Sequence, residues 1–307
     1  MTEFLATAAV DGIVTPLAEA RIPVLDRGFL YGDSIYEVFR TYSGVPLFID
    51  EHWRRFENSA RLIHLELGGA RAKLTADIRA AIAASGAPAL NRDVYVRYTV
   101  TRGEGAIDLL PKPDLRLRRV VIVKEVPRWN PLHYSRGVTV AIVGTQRNPH
   151  EALDPNIKGG NYLNNVLGVI EAAELGADDC LMLSDAGLVT EASNSNVFFV
   201  IDGELVTPSQ QAANLRGLTK EAVHAACKAD GLASRETEIA AADAIRATEC
   251  FLTSATREVM PVAALIRRDG SRREFPAGGG ETTRRVAALY RAAVDEYVAA
   301  HRERSLF

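Results

Sequence analysis

Residues 156–199 read N-I-K-G-G-N-Y-L-N-N-V-L-G-V-I-E-A-A-E-L-G-A-D-D-C-L-M-L-S-D-A-G-L-V-T-E-A-S-N-S-N-V-F-F. Lys158 stands beside two glycines and ahead of an apolar run with helical spacing. Glu191 lies in a small polar patch with Thr190, Ser193, Asn194, Ser195 and Asn196, just before a strand-like run. A lysine that acts as a nucleophile must be neutral part of the time, which calls for partial burial or a neighbouring cation. Gly159 and Gly160 allow a planar ligand to approach the backbone closely. Singly, Lys158 reads as a surface lysine and Glu191 as a turn glutamate. In this order they suggest a lysine made to react and an acid that supports it.

The elements around this stretch define the fold class. Asp11-Gly12 and Ser43-Gly44 each sit between apolar residues, as hairpin turns do. Runs 35–42 and 45–49 form the stronger hairpin. A helix follows, with Asp50 as its cap and Trp53, Phe56, Ala60, Ile63 and Leu67 on one face. Gly68-Gly69 ends it. A second helix from Thr75 turns Ile78, Ala81 and Ile82 inward. Residues 94–101 alternate as a strand and 119–126 form another. Between them R-G-E-G-A-I-D-L-L-P-K-P, from Arg102, is a loop long enough to carry function.

Residues 127–131, with Trp129 and Asn130, read as a linker. Beyond it come a strand at 138–143, a helix at 162–175 closed by Gly176, a helix at 217–229, and strands at 250–253 and 259–266. A terminal helix at 281–302 has Val286, Leu289, Ala293 and Tyr297 at helical spacing. The class is α+β, a mixed α/β chain with many antiparallel strands. Two domains are expected: a small one over 1–126, a linker over 127–132, and a large one over 133–307.

Composition excludes several functions. Hydrophobic residues make up 47% and charged residues 24%, an ordinary globular balance, and the net charge of −3 gives no reason to expect nucleic acid. The basic run Arg116, Arg118 and Arg119 reads as a solvated strand edge. Three cysteines (Cys180, Cys227, Cys250) are too few and scattered for a disulfide framework and read as buried thiols, which suits a reducing compartment. The N-terminus is a poor signal peptide and no apolar run reaches membrane-spanning length, so a cytoplasmic location is expected. No phosphate-binding loop, G-x-S-x-G or H-E-x-x-H occurs. The six histidines lack metal-ligand spacing; His52 and His64 share the first helix twelve residues apart. No metal is expected.

Six segments resemble a known family when taken together: D-R-G-F-L-Y-G-D-S-I-Y-E-V-F-R (26–40), H-W-R-R (52–55), N-I-K-G-G-N-Y-L-N-N (156–165), V-T-E-A-S-N-S-N-V-F (189–198), L-R-G-L-T (215–219) and F-L-T-S-A-T-R-E-V-M-P (251–261). In order and spacing they are similar to the class IV, or fold-type IV, pyridoxal-phosphate aminotransferases. That family includes branched-chain and D-amino acid aminotransferases, R-selective amine transaminases and aminodeoxychorismate lyases. The resemblance covers nearly the whole chain and implies the two-domain fold of D-amino acid aminotransferase, with pyridoxal 5'-phosphate between the domains.

By this resemblance Lys158 would be the Schiff-base lysine and proton carrier, and Glu191 would contact the pyridine nitrogen. An ionised carboxylate there favours the protonated ring, which makes it an electron sink. Tyr162 would hydrogen-bond the phenolic oxygen and Leu215 would pack on the ring face. Arg55 would hold the phosphate with its fork of donors. So would the start of a helix at Gly217, Leu218 and Thr219, together with Ser254 and Thr256. Ala255 stands where many members have a threonine, so a side-chain contact is lost there.

Tyr31, Tyr36, Val38, Arg40, Tyr95, Arg97, Trp129 and Ala255 are the expected substrate residues. Arg97 would receive a distal carboxylate such as that of 2-oxoglutarate, and Trp129 would either close the site or anchor a hinge. K-G-G-N-Y-L-N-N, Tyr31, Tyr95 and Arg97 look most like the branched-chain branch. Y-E-V-F-R, where Val38 replaces a glycine, leans towards the D-amino acid enzymes, yet the loop after Arg102 lacks their R-x-H element.

The first reading is therefore a ping-pong transaminase acting on branched-chain L-amino acids and a 2-oxo acid. A D-amino acid or R-amine transaminase is the alternative within the family, and a non-catalytic pyridoxal-phosphate-binding protein the alternative outside it. The lyase branch fits less well, because it lacks the N-Y-L-N-N context. A homodimer or larger assembly is implied, with Tyr31 and the 103–109 loop reaching the neighbour's site.

Overall fold

In the computed structural model, which describes residues 3–307, Asp11-Gly12 and Ser43-Gly44 both adopt left-handed backbone, with φ of 50° and 91°, and 49° and 78°. Type I′ hairpin turns need positive φ at both central positions. The first turn joins β1 (Thr7–Val10) to β2 (Ile13–Pro16), and the second joins β3 (Ser34–Tyr42) to β4 (Val45–Pro46). With β5 (Val94–Thr101) and β6 (Arg118–Glu125) they form an antiparallel sheet in the order β2-β1-β6-β5-β3-β4.

Alternation decides what each face of this sheet does. Ile35, Glu37, Phe39 and Thr41 of β3, and Val94, Val96, Tyr98 and Val100 of β5, point one way and are buried. The apolar ones pack with Trp53, Phe56 and Ala60 of α2 (Ile49–Leu62) and with Leu74, Ile78, Ala81 and Ile82 of α3 (Ala70–Ala84). Burying each large side chain stabilises by about 1.5–3 kcal/mol. A one-residue slip of β3 would exchange this face for the other, so the register is strongly specified. The other face carries Tyr36, Val38 and Arg40, opposite Thr99, Arg97 and Tyr95.

Several expectations for this region need correction. The run 45–49 is a strand for only two residues, because Pro46 has no N–H to continue a ladder. Asp50 lies in the first turn of α2, and Phe48, with φ of 51°, holds the cap position. α2 ends at Leu62, before a left-handed His64, so His52 and His64 do not share a helix. Gly69 instead precedes α3, which begins at Ala70 and not Thr75. The basic run is no solvated edge. β6 is an inner strand; Arg118 pairs with Asp11, Asp26 and Glu104, and Arg119 with Asp77.

The chain divides into two compact units. The first runs to Pro127 and also takes in Ile157–Asn161 and Glu296–Phe307; the second holds Arg128–Asn156 and Tyr162–Asp295. A single cut near residue 130 therefore does not describe the chain. Two later segments return to the first unit, each by backbone pairing or by packing. Gly159 bridges Ile35 at the start of β3, Leu306 donates its N–H to the Gly44 carbonyl, and Phe48 meets Tyr297 edge-on.

The second unit is built on a mixed sheet. Its strands are β7 (Val138–Ile142), β8 (Asp179–Leu183), β9 (Val189–Ala192), β10 (Asn196–Ile201), β11 (Glu204–Pro208), β12 (Ser234–Thr237), β13 (Glu249–Ser254), β14 (Glu258–Ile266) and β15 (Arg272–Glu274). They run in the order β12-β11-β10-β13-β14-β7-β8-β9, with β15 on β14. The β14–β7, β7–β8 and β11–β12 pairs are parallel and the others antiparallel.

Next to this sheet are α6 (Leu163–Glu174) and α7 (Leu218–Ala229), labelled after the short α1 (Arg27–Tyr31), α4 (Ala87–Leu90) and α5 (Leu132–Ser135). Then come α8 (Ala241–Arg246) and the long α9 (Glu281–Ala300). Cys180, Cys227 and Cys250 are all buried, and burial, then Asp179, pushes the Cys180 thiol up to about 12. Among the described residues no helix is long and apolar enough to cross a membrane, and no His, Cys, Asp or Glu group could hold a metal ion.

Candidate active site

In the first unit the segment Ile157–Asn161 lies along the start of β3 like a short extra strand. The Lys158 carbonyl accepts from Tyr36 N–H at 2.9 Å, and Gly160 N–H donates to the Ser34 carbonyl at 3.1 Å. The Lys158 N–H donates to Ser59 Oγ at 3.1 Å, and the Ser59 hydroxyl donates to the Arg55 carbonyl at 3.0 Å. Lys158 is thus pinned to both β3 and α2. A Cβ at Gly160 would collide with Ser34 Oγ, so this close approach requires glycine.

The Lys158 side chain turns to the face that carries Tyr36. Its Nζ is 3.3 Å from the Tyr36 hydroxyl and 4.5 Å from the ring centre. The Arg97 guanidinium lies 3.6 Å over the same ring. Two cations therefore share one electron-rich phenol, an attraction of about 0.5–2 kcal/mol each. Val38 is directly opposite Arg97 in the register and belongs to this face. Arg40 lies over Tyr42, and Lys124 over Tyr95. Lys158, Tyr36, Val38 and Arg97 are brought together; Tyr31, at the end of α1, packs instead under Arg27.

On the opposite, buried face Arg55 meets a residue that the motif reading passed over. Glu37 accepts from Arg55 Nε at 2.6 Å and Nη2 at 2.8 Å, and from His52 Nδ1 at 2.7 Å. Burial alone would raise the Glu37 carboxyl, but the charges of Arg55 and then His52 hold it well below the usual carboxylate range. Burial pushes the His52 imidazole down despite Glu37, so neutral His52 donates through Nδ1. The signal was in the sequence: strand alternation puts Glu37 between Ile35 and Phe39, on the apolar side.

The loop after Arg102 is held by a second charged cluster. Asp33 accepts from Arg27 and Arg102, and Arg27 donates onward to the carbonyls of Asp108 at 2.6 Å and Leu109 at 2.8 Å. This fixed backbone presents Ile107, Leu109 and Leu110 to solvent.

In the second unit Glu191, on β9, is buried with both oxygens engaged. Oε1 accepts from Arg147 Nε at 2.9 Å, and Oε2 accepts from the Leu215 N–H at 3.0 Å. Leu215 precedes α7, whose N-cap is Gly217 and whose start no side chain caps. A Cβ at Gly217 would collide with Asn196 Oδ1, and Asn196 Nδ2 donates to the Leu215 carbonyl at 3.0 Å. An uncapped helix start with its amides pointing outward is a ready anion site. Thr219 is buried in its first turn. Tyr162 holds the N-cap position of α6.

The turn Ser254-Ala255-Thr256 links β13 to β14 and is braced from three sides. Ser254 Oγ accepts from Arg257 N–H, Trp129 Nε1 donates to the Thr256 carbonyl at 2.9 Å, and the Tyr134 hydroxyl donates to the Arg257 carbonyl at 3.1 Å. The Arg257 guanidinium lies 4.8 Å over the Trp129 ring and pairs with buried Asp179 at 2.5 Å. Trp129 is therefore a strut on this turn. Nothing in its local sequence distinguished that role from a lid, because its partner lies more than a hundred residues away.

The first unit thus holds a half-buried lysine on an aromatic face, and the second a buried carboxylate on a strand and an uncapped glycine helix start. Residues 34–265 match the amino-transferase class IV family, and the chain belongs to it. It is a pyridoxal-phosphate-dependent aminotransferase.

A Methanocaldococcus jannaschii protein, provisionally named a branched-chain-amino-acid aminotransferase, is 30% identical over 89% of this chain and 91% of its own length. A D-alanine aminotransferase of Listeria monocytogenes is 31% identical over 80% of this chain and 82% of its own. Among solved structures, the branched-chain amino acid aminotransferase of Thermobaculum terrenum in its pyridoxal-phosphate form superposes with a TM-score of 0.81 at 25% identity. That match covers 98% of this chain and 97% of the other.

The residues present fit the cofactor on structural grounds. The Gly217 helix start offers amides where a side chain would intrude, and Glu191 is a carboxylate held in place from both oxygens.

Proposed function

We propose that this aminotransferase moves an amino group between branched-chain L-amino acids and a 2-oxo acid such as 2-oxoglutarate. The observation that carries this reading is the Arg97 guanidinium over Tyr36, beside the Lys158 amine. A cation on that wall suits an acceptor with a second carboxylate. The names of the M. jannaschii relative and the T. terrenum structure support the branched-chain choice.

Pyridoxal phosphate, when bound, supplies an electron sink for charge that develops at the substrate α-carbon. Lys158 would hold the cofactor through its amine, and that amine would carry the α-proton. Glu191 would contact the ring nitrogen, Leu215 would pack on the ring and Tyr162 would donate to its phenolic oxygen. Arg55, the amides of Gly217, Leu218 and Thr219, and the turn of Ser254 and Thr256 would be the groups that hold the phosphate. Ala255 contributes no hydroxyl there, and its place in the braced turn leaves backbone amides to meet the substrate. Tyr95, Arg40 and Val38 would complete the substrate wall, with Tyr31 reaching the site of a partner subunit.

One observation favours a second reading. Val38 points to the Arg97 side and narrows the wall with an isopropyl group, which supports D-amino acids as donors. The D-alanine aminotransferase among the relatives is consistent with that. Half-reactions of the loaded enzyme with L-leucine and D-alanine, followed by loss of the visible cofactor band, separate the two. Faster bleaching by D-alanine would overturn the branched-chain choice, and no bleaching by any amine would leave a cofactor-binding protein.

We also propose a homodimer. In the first unit Phe29, Ile107, Leu109 and Leu110 are exposed. In the second, Leu163, Val166, Leu167 and Ile170 form an exposed stripe along α6. Apolar faces of this kind mark protein contacts. Sedimentation at a mass of one chain across micromolar concentrations would refute the dimer.

A further inference from the structure

Arg147, whose guanidinium is bonded to Glu191, is not among the residues that the family resemblance implies. It follows β7 in a loop that is fastened at four points. Glu171 of α6 accepts from Gly144 N–H at 2.6 Å and from Thr145 N–H at 3.0 Å. Burial would raise this carboxyl, but those two amides hold it below its ordinary value. Asn164 Nδ2, also on α6, donates to the Gln146 carbonyl at 2.6 Å, and Arg147 N–H itself donates to the Leu183 carbonyl of β8 at 2.9 Å. A long side chain gains directional value only when its backbone is fixed. Here the fixing is dense, and the Arg147 side chain is largely buried with Nε 2.9 Å from Glu191 Oε1.

We infer that Arg147 is a positioning residue: it orients the Glu191 carboxylate and keeps a compensating charge behind it, so that Glu191 presents its remaining acceptor capacity to the cofactor ring nitrogen. A carboxylate has about four lone-pair sites. Arg147 and the Leu215 N–H occupy one on each oxygen, which fixes the plane of the group and leaves the others directed by that plane. The inference rests on the assignment of Glu191 to the ring nitrogen given above.

The test compares binding of two ligands to cofactor-free protein by fluorescence titration: pyridoxal 5'-phosphate, and its 1-deaza analogue, in which carbon replaces the ring nitrogen. Arg147→Met is expected to weaken pyridoxal phosphate about tenfold to a hundredfold, the value of a charge-assisted hydrogen bond. The analogue should be weakened less than about threefold, and Arg147→Lys should fall between wild type and Arg147→Met for pyridoxal phosphate alone. Unchanged analogue binding also reports that the variant is folded. Equal weakening of both ligands, or of neither, overturns the inference. Glu191→Gln separates the two levels. If it discriminates between the ligands while Arg147→Met does not, the inference fails and the assignment of Glu191 stands. If Glu191→Gln does not discriminate, both fail.

Discussion

Glu37 grips Arg55 by both carboxylate oxygens, at 2.6 and 2.8 Å, on the side of the sheet that faces α2, with Glu37 fully buried and Arg55 largely so. A guanidinium buried there would be strongly disfavoured alone, so Arg55 depends on Glu37 for its place. Glu37→Leu is expected to lower the unfolding free energy by about 3–5 kcal/mol, since it leaves an uncompensated buried charge. Urea denaturation measures this. A loss below about 1 kcal/mol would show that the pair contributes no more than an exposed one.

The same cluster sets a pH dependence. Both Glu37 and His52 hold fewer protons folded than unfolded, because both pKa values are lowered by folding. Stability should therefore be full above 6.5, the ordinary value for His52, and fall as pH drops below it, with a further fall below 4.5, the ordinary value for Glu37. Each proton contributes a slope of up to about 1.4 kcal/mol per pH unit. His52→Asn, whose amide N–H can replace Nδ1–H, should flatten the upper part of the curve, leaving the contribution of His224, which burial also lowers. A variant curve parallel to wild type between pH 5 and 6.5 would contradict this.

Val38 supplies a test of substrate choice. Val38→Gly removes the isopropyl group that faces Arg97. The ratio of L-leucine to D-alanine rates should rise about tenfold, within the range expected when a few methyl groups leave a pocket wall. A fall in that ratio would mean that Val38 shapes the opposite preference.

Trp129→Phe keeps the ring under Arg257 but removes the N–H that holds the Thr256 carbonyl. Loss of one buried hydrogen bond costs about 1–1.5 kcal/mol. If the turn helps bind substrate, KM should rise about tenfold with kcat little changed. A fall in kcat at constant KM would point to a moving lid.

The legible parts of this molecule were those whose meaning is local or periodic. The Asp11-Gly12 and Ser43-Gly44 turns formed as their chemistry requires, and β5 spans the residues its alternation indicated. Lys158 stood out because glycines and a helix flank it. The residues that sequence passed over are those defined by distant partners. Arg147 lies in an irregular run without periodicity, and its meaning comes from Glu191, far along the chain. Ser59 is one helix serine among others until it meets the Lys158 amide. Helix ends also shifted, because Phe48 and His64 adopt left-handed backbone that neither residue type announces.

The lodging of Ile157–Asn161 on β3 has a consequence for biosynthesis. All six strands of the first sheet are translated by Glu125, but the segment bearing Lys158 follows only after β7 of the second unit, and Glu296–Phe307 later still. Pairing of Ile35 with Gly159 closes a very long loop, the kind of contact that forms late and slows folding. In order of synthesis the scaffold strands come first and Lys158 afterwards. Incomplete products released in that interval would hold the Glu37–Arg55 pair but lack Lys158.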